Sequence, residues 1–156
     1  MFSQTTEYAL RAMACLAYQP TELVPTPELA QTTRVPSNYL SKVLQILAGA
    51  DLIVGRRGVG GGYRLARPPQ DIRLLDVINA VEPVNRIKAC PLGIPSHGTQ
   101  LCPLHQRIDR ANALVIEAYG STTLADIVGD ASSPRRPLCD STSTTPLSMS
   151  VRSKRA

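Results

Sequence analysis

Four side chains of the kinds that commonly bind metal ions lie close together in the second half of the sequence. They are Cys90, His97, Cys102 and His105, in the pattern C-x6-H-x4-C-x2-H. Two thiolates and two imidazoles suit either a zinc ion or a two-iron cluster ligated as in Rieske proteins. Because the spacing is not a standard zinc-finger spacing, the interpretation favours an iron–sulfur or redox site, with a two-iron cluster preferred to a four-iron one. Zinc, or surface histidines and thiols with no cofactor, are the alternatives.

The composition indicates the compartment in which these thiols would act. The 156 residues contain no signal-peptide pattern. They also lack an apolar run of the ~20 residues that a membrane span needs. We therefore expect a cytoplasmic protein with no membrane partner. Its four cysteines should stay reduced there, so metal binding is favoured over disulfide formation. Cys15 is expected in the core, and Cys139 has no evident partner.

The net charge of +5 favours an acidic partner such as nucleic acid.

A basic, glycine-rich stretch, RRGVGGGYRL, begins at Arg56. Short apolar runs on both sides predict a β-hairpin whose tip is slim enough to approach another surface closely. The stretch lacks the Lys-Ser/Thr of a phosphate-binding loop, and Tyr63 occupies the third glycine position of G-x-G-x-x-G. A hairpin that enters a nucleic-acid groove is therefore favoured over nucleotide binding, with a flexible surface hairpin as the alternative.

Two short helices joined by a tight turn are predicted just before this hairpin. We expect Thr26 to cap the first helix and the second to follow a break at Arg34-Val35 and to end at Gly49. The outward face of the second helix carries small polar residues and a lysine: Ser37, Asn38, Ser41, Lys42 and Gln45. This pattern is typical of a helix-turn-helix, although a solvated helical hairpin would share it. A helix-turn-helix followed by a basic hairpin is the order of a winged helix.

Helices are also predicted at both ends of this region. The first helix should be capped by Thr5 or Thr6, and a short buried helix should end at Glu82-Pro83. The last helix is expected from Thr122 to Val128, and the Ser/Thr/Pro-rich segment beyond it is predicted to be disordered.

A longer helix is predicted from Pro103 onward. Apolar residues recur in it at alternating spacings of four and three: Leu104, Ile108, Ala111, Val115 and Ala118. Heptad spacing of this kind indicates a seam for another helix, most simply the same helix of a second copy. Burial against its own domain is the alternative.

Several of these motifs together resemble the Rrf2 family of bacterial transcription regulators. The resemblance is carried by TTEYALRAM, NYLSKVLQIL, RRGVGGGYRLA, DVINAVEP and the cysteine loop, in order over roughly residues 1–130. It implies a winged-helix homodimer, joined through the long helix after the cysteine loop, that binds palindromic promoter DNA. By position it places Asn38, Tyr39 and Lys42 on the recognition helix, and Arg57 with the 58–62 tip in the minor groove.

The resemblance also has implications for the cofactor. Iron–sulfur members of the family hold their cluster with three cysteines in this loop, whereas the middle position here falls at or near Ser96, beside His97. His105 matches a histidine that is a ligand in some members. Glu7 aligns with a carboxylate that in others reaches across from the partner subunit. The resemblance therefore implies a cluster site that departs from the three-cysteine pattern.

The predicted fold is mainly α with a small β-hairpin wing. A winged helix-turn-helix domain is expected at 1–82, a Cys/His sensor loop at 83–102, a dimerisation helix and a short helix at 103–130, and a tail at 131–156. The expected function is sequence-specific, homodimeric regulation of transcription on double-stranded DNA, without catalysis. A cofactor-free or RNA-binding winged helix and a cluster-carrying module are the alternatives. Candidate DNA contacts are Ser37, Asn38, Tyr39, Ser41, Lys42, Arg56, Arg57, Gly58, Gly60 and Arg64.

Overall fold

The computed structural model describes residues 2–129, so the predicted tail lies outside the described range. The helices are α1 (Gln4–Tyr18), α2 (Thr26–Thr33), α3 (Ser37–Gly49), α4 (Leu74–Val81), α5 (Pro103–Gly120) and α6 (Leu124–Val128). Two antiparallel strands, β1 (Ile53–Arg56) and β2 (Gly62–Leu65), form a hairpin between α3 and α4. Short 3-10 turns cover Pro69–Asp71 and Pro95–His97. The predicted mainly α fold with a hairpin wing is confirmed.

Helix α1 lies at the centre of the apolar core. It contacts α2, α3, α4 and α6, and its small residues Ala9 and Ala12 are completely enclosed. Small side chains allow neighbouring helices to pack closely on α1, while larger aliphatic residues fill the remaining space. The fully buried large side chains are Met13, Leu16, Leu29, Leu40, Leu44, Leu47, Ile53, Ile72, Ile78 and Leu124. Cys15 is also buried in this core, as expected.

The start of α1 differs from the expected one. Ser3, rather than Thr5 or Thr6, is the N-cap, and its hydroxyl accepts a hydrogen bond from the Thr6 backbone N–H at 3.3 Å. The buried Thr6 hydroxyl instead donates to the Glu82 carboxylate at 3.1 Å. That carboxylate also accepts from the Ser3 backbone N–H, and this bond is the main cause of the lowered pKa of Glu82. Thr6 therefore forms a tertiary hydrogen bond with Glu82 and does not cap the helix, in contrast to what the local sequence had suggested.

The turn between α2 and α3 occupies residues 34–36. Arg34 adopts a left-handed conformation with φ 55°, and the Val35 N–H donates to the Ala30 carbonyl at 3.2 Å. The turn thereby buries Val35 in the core and directs α3 away from α2. Helix α2 begins at Thr26, with Pro25 in the cap position, one residue earlier than expected.

The hairpin is attached to the helix-turn-helix by a third extended segment. The N–H of Val24 donates to the carbonyl of Tyr63, and the N–H of Tyr63 donates to the carbonyl of Val24, each at 2.9 Å. Val24 immediately precedes the cap of α2, so this bridge fixes β2 against the start of that helix. The wing and the helix-turn-helix therefore form one connected unit.

The C-terminal helices pack on α4 and α1. Helix α5 lies against α4, and α6 lies against α1. Pro103 is the first residue of α5 and Cys102 is its N-cap, as the sequence indicated. Helix α6 begins at Leu124 rather than Thr122, because the Thr122 carbonyl accepts the Leu74 N–H and Thr123 forms a capping box with Asp126.

Candidate functional site

The start of helix α3 presents a polar surface. The predicted DNA-contacting residues of this helix are all exposed: Ser37, Asn38, Tyr39, Ser41 and Lys42. The opposite face is buried through Leu40, Val43, Leu44 and Leu47. An outward face of this kind offers hydrogen-bonding groups that can reach base edges and phosphates in a major groove.

Residues of α1 support this surface from behind. The Tyr8 ring packs edge-on against Tyr39, with the ring centroids 6.4 Å apart, although Tyr39 keeps 52% of its surface exposed. The Arg11 guanidinium lies 5.6 Å from the centre of the Tyr8 ring and donates to the Thr33 carbonyl, at the end of α2, at 3.0 Å. From the sequence, Arg11 is recognisable only as the i, i+4 partner of Glu7 on the surface of the helix. Its role in holding the turn depends on residues that are distant in sequence.

Glu7 pairs with Arg11 of the same protomer, and the Arg11 Nε donates to its carboxylate at 3.2 Å. Both side chains are at least partly exposed to solvent. The predicted role of Glu7 as a ligand from the partner subunit stays a prediction.

The wing carries three exposed arginines, Arg56, Arg57 and Arg64. Together with Lys42 they are the predicted cationic DNA contacts, and none of the four forms an ion pair within residues 2–129. A groove of about 540 Å³ lies between the wing and the start of α2, lined in part by Arg56, Arg57, Thr26 and Gly61. The wing therefore presents unpaired positive charge next to a concave surface.

The glycines of the wing have two different roles. Gly58 and Gly60 form the exposed tip and adopt positive φ values of 92° and 71°. Gly62 is required by packing, because a Cβ at this position would lie 2.4 Å from the Val24 carbonyl oxygen. Val59, which the sequence reasoning passed over, projects fully exposed from the tip. Its only sequence signal is that it is an apolar residue among glycines.

The structure brings three of the four predicted ligands close together and places the fourth, His97, beside one of them. The Cys90 Sγ lies 3.3 Å from the His97 Nδ1 and 3.6 Å from the His105 Nδ1. The Cys102 Sγ lies 3.1 Å from the same His105 nitrogen. Ligand atoms of Cys90, Cys102 and His105 are all within 4.8 Å of one another. Cys90, Cys102 and His105 thus converge on one small volume, and His97 is joined to this group through Cys90.

The Cys90 thiol is prepared for ligation by its surroundings. Its pKa is lowered from 9.0 to about 6, chiefly by a hydrogen bond from the Leu92 backbone and next by the His97 side chain. The Cys102 backbone and thiol lower it further, whereas burial acts in the opposite direction. The lowered pKa favours the thiolate of Cys90, which is the form that binds metals.

The N-terminal part of the loop is attached to the middle of α5. The Arg86 guanidinium makes two hydrogen bonds to the Asp109 carboxylate, at 2.7 and 2.6 Å, and the Ile87 N–H adds a third at 2.8 Å. The Asn112 amide also donates to the Asn85 carbonyl at 2.9 Å. Arg86 is the main cause of the lowered pKa of Asp109, about 2. Sequence reasoning missed this anchor, for which the acidic residue between Ile108 and Arg110 was the only signal.

Helix α5 leaves an apolar stripe uncovered. Leu104, Ile108 and Leu114 are 63%, 41% and 60% exposed, and Ala111 is also exposed, while Val115 is half-buried. Within Pro103–Gly120 the buried residue is Asp109. Most of the predicted seam is therefore left uncovered within the protomer, and the exposed Leu114 adds to it.

These features define a class of protein. The molecule has the fold of a winged helix-turn-helix transcription regulator. It combines a helix-turn-helix that has an outward polar face, a basic wing bound to that unit, and a long C-terminal helix. Within residues 2–129, no helix has both the length and the apolar character that spanning a membrane requires.

Comparison with known proteins identifies the family. The Rrf2 family, described as "Iron-dependent Transcriptional regulator", matches residues 2–130, and the chain belongs to it. An HTH-type transcriptional regulator of Mycobacterium tuberculosis is 34% identical over 134 residues, covering 83% of this chain and 81% of its own. One of Aquifex aeolicus is 27% identical over 131 residues, covering 82% and 91%. These relatives are regulators of transcription and not enzymes, as the sequence indicated.

Solved structures have the same fold. CymR, the global cysteine regulator of B. subtilis, is 27% identical with a TM-score of 0.67, covering 81% of this chain and 95% of its own. IscR of T. potens is 24% identical with a TM-score of 0.69, covering 87% and 93%. The fold expectation and the family resemblance are thereby confirmed.

The family description raises the question of whether these residues fit an iron–sulfur cluster. A two-iron cluster distributes its four protein ligands over two irons, which places the two ligand pairs on opposite sides of the cluster. Here three ligand atoms are mutually within 4.8 Å, and His105 is in contact with both thiols. Two cysteines and two histidines are a donor set that either a single zinc ion or a two-iron cluster ligated as in Rieske proteins can use, so the residues present fit both groups.

Proposed function

We propose that this Rrf2-type regulator is a homodimer that binds palindromic promoter DNA in a sequence-specific manner. The observation that carries the proposal is the bridge between Val24 and Tyr63, which holds the basic wing beside the helix-turn-helix. With this bridge in place, α3 can enter a major groove while the wing lies along the neighbouring minor groove. A metal-carrying module would not need such a connection.

The exposed side chains divide into two roles on DNA. Asn38, Tyr39 and the serines Ser37 and Ser41 can read base edges, since their amide and hydroxyl groups are neutral hydrogen-bond donors and acceptors. Lys42, Arg56 and Arg64 are suited to phosphates. Arg57, with the glycine tip at residues 58–60, is suited to a narrow minor groove, where the negative potential is deepest.

The dimer is proposed to form through α5. The uncovered side chains Leu104, Ile108 and Leu114 lie on a helix whose opposite face packs on α4. Exposed large apolar residues arranged in a stripe mark an interface. Two copies joined by this seam would present two recognition helices, which matches an operator built from two half-sites.

The Cys/His centre is proposed to control this dimer. Cys102 and His105 lie at the start of α5, while Cys90 and His97 belong to the preceding loop. Occupation of the centre would join the 83–102 loop to the base of the dimer helix, whereas its loss would release that joint. Coupling of this kind typically changes affinity by about 1–3 kcal/mol.

Selection from a pool of random DNA duplexes, with the full-length protein, tests the proposal. We expect an inverted repeat to be enriched, because the reading surfaces are presented twice. Asn38→Ala should relax the base preference at one position in each half-site, at a cost of about 1–3 kcal/mol. Arg110→Ala, which removes a charge from α5, is the control and should change neither affinity nor preference. Absence of enrichment, or equal binding to structured RNA, would contradict the proposal.

A further inference from the structure

The guanidinium of Arg11 contacts three groups at once, and these groups lie on two different helices. Its Nε and Nη2 both donate to one oxygen of the Glu7 carboxylate, the former at 3.2 Å. Its Nη1 donates to the Thr33 carbonyl at 3.0 Å, and its central carbon lies 5.6 Å from the centre of the Tyr8 ring. Because the guanidinium is planar and each of its three nitrogens is bound, the group is held in one orientation.

The Thr33 carbonyl lies at the end of α2, where the turn to α3 begins. The last carbonyls of a helix have no partner within the helix, and positive charge beside them is favourable. Thr33 is only 2% exposed, so Arg11 supplies this carbonyl with a partner where water has little access. The next residue, Arg34, adopts the left-handed conformation with which the turn starts. Arg11 therefore fixes the point from which the chain departs toward α3.

The Tyr8 ring connects Arg11 to the outward surface of α3. It packs edge-on against Tyr39, with the ring planes at 68° and the centroids 6.4 Å apart, within the range that aromatic pairs prefer. The Gln4 amide donates to the Tyr8 hydroxyl at 2.7 Å, so the ring is held at its hydroxyl end as well as by the guanidinium. The direction in which Tyr39 projects from α3 therefore depends on a ring that Arg11 keeps in place.

We propose that Arg11 is a positioning residue for base reading by α3. It acts on that helix twice, through the turn at Thr33 and through the Tyr8 ring behind Tyr39. Groups that read a ligand must be held within about 0.5 Å of the productive geometry, so a side chain that fixes both the backbone and a rotamer contributes to specificity. The inference rests on the proposed function, in which α3 enters a major groove.

A direct bond from Arg11 to a DNA phosphate is the rival explanation, because the Arg11 side chain is 32% exposed. The two explanations differ in the salt dependence of binding. Loss of one phosphate contact from each protomer would make the slope of log K against log salt less negative by about 2, whereas loss of a positioning residue leaves this slope unchanged.

Selection from random DNA duplexes and salt titration of the full-length Arg11→Gln variant test the proposal. Tyr39→Phe, analysed in parallel, identifies the base pair that the Tyr39 hydroxyl reads. We expect Arg11→Gln to relax the preference at the same base pair by about 10-fold, with an unchanged slope. The double variant should relax it no further than Tyr39→Phe alone, because both changes act through one side chain. Arg110→Gln, at an exposed position of α5, is the matched control and should keep the wild-type preference and slope.

Tyr8→Leu tests the ring separately and leaves the bond between Arg11 and Thr33 in place, so the proposal remains testable if Arg11→Gln does not fold. This variant should relax the preference at the base pair identified by Tyr39→Phe. Wild-type preference in Tyr39→Phe or in either folded variant, an equal loss of affinity for all sequences, or a slope less negative by about 2 in Arg11→Gln would overturn the proposal. Absence of an enriched inverted repeat with the wild-type protein would instead contradict the proposed function, on which the proposal rests.

Discussion

Binding of this protein to DNA should weaken steeply with salt. Each protomer exposes Lys42, Arg56, Arg57 and Arg64 without an ion pair in the described part of the chain, so a dimer offers eight such cations. If about six of them neutralise phosphates, log K should fall with log salt at a slope near −5. Between 50 and 200 mM salt, this slope corresponds to a loss of about 10³-fold in affinity.

Fluorescence anisotropy with a labelled operator duplex measures this slope directly. Arg57→Ala removes one cation from each protomer and should therefore make the slope less negative by about 2, because an arginine in the minor groove also neutralises the phosphates that flank it, at about 0.9 for each. The same variant should weaken binding by about 1–3 kcal/mol, most strongly at A·T-rich minor grooves. Arg110→Ala is the matched control, since Arg110 is an exposed residue of α5, which packs on α4.

Two results would refute this reasoning. A slope close to zero in the wild-type protein would show that phosphates do not supply the affinity and would remove DNA from the proposal. An equal change of slope in Arg57→Ala and Arg110→Ala would show that net charge, rather than the wing, determines binding.

Three further perturbations test the dimer, the wing and the loop anchor. Ile108→Asp should cost the dimer several kcal/mol while leaving the protomer folded, because this side chain is already 41% exposed; a variant that sediments as a wild-type dimer would show that the seam is not the interface. Gly62→Ala would place a Cβ 2.4 Å from the Val24 carbonyl oxygen and should lower the unfolding free energy by ~2 kcal/mol or more. Gly49→Ala is the control and should not destabilise the protein, because no atom lies within 4 Å of its Cβ. Equal urea midpoints for the two variants would contradict the proposed role of Gly62. The pKa of Asp109 is lowered from 3.8 to about 2, so the stabilisation that its carboxylate provides is present above pH 4 and is lost as the pH falls toward 2. Asp109→Asn should therefore lose less stability between pH 6 and pH 3 than the wild type. An unchanged pH dependence of stability would show that the contact of Asp109 with Arg86 does not stabilise the fold.

The parts of the fold that were predictable from sequence are those determined by local patterns. The stripe of Leu40, Val43, Leu44 and Leu47 identified α3, and the glycines between short apolar runs identified the hairpin. Pro103 likewise marked the first residue of α5, with Cys102 as the cap. Each of these signals depends on residues within a few positions of one another.

The parts that were missed depend on tertiary contacts. Thr6 was assigned to a cap because the local sequence allows it, but its hydroxyl is bound to Glu82, at the end of α4. The anchoring of the loop by Asp109 could not be predicted, because it depends on a contact between Arg86 and the middle of α5 that forms only in the folded chain. The Cys/His group was suggested by residue type, whereas the contacts that join its members could come only from the three-dimensional structure.

The position of the Cys/His centre explains how it could regulate without unfolding the protein. Cys90 is buried but does not belong to the main apolar cluster, and the core is completed by residues of α1 to α4 and α6. Loss of a ligand would therefore leave that cluster intact. Because Asp109 and Asn112 still hold residues 85–87 against α5, the change would be confined to the segment between this anchor and Cys102. That segment adjoins Leu104 and Ile108 at the start of the proposed dimer seam. A local release at the centre would thus act first on the interface that sets the spacing of the two recognition helices.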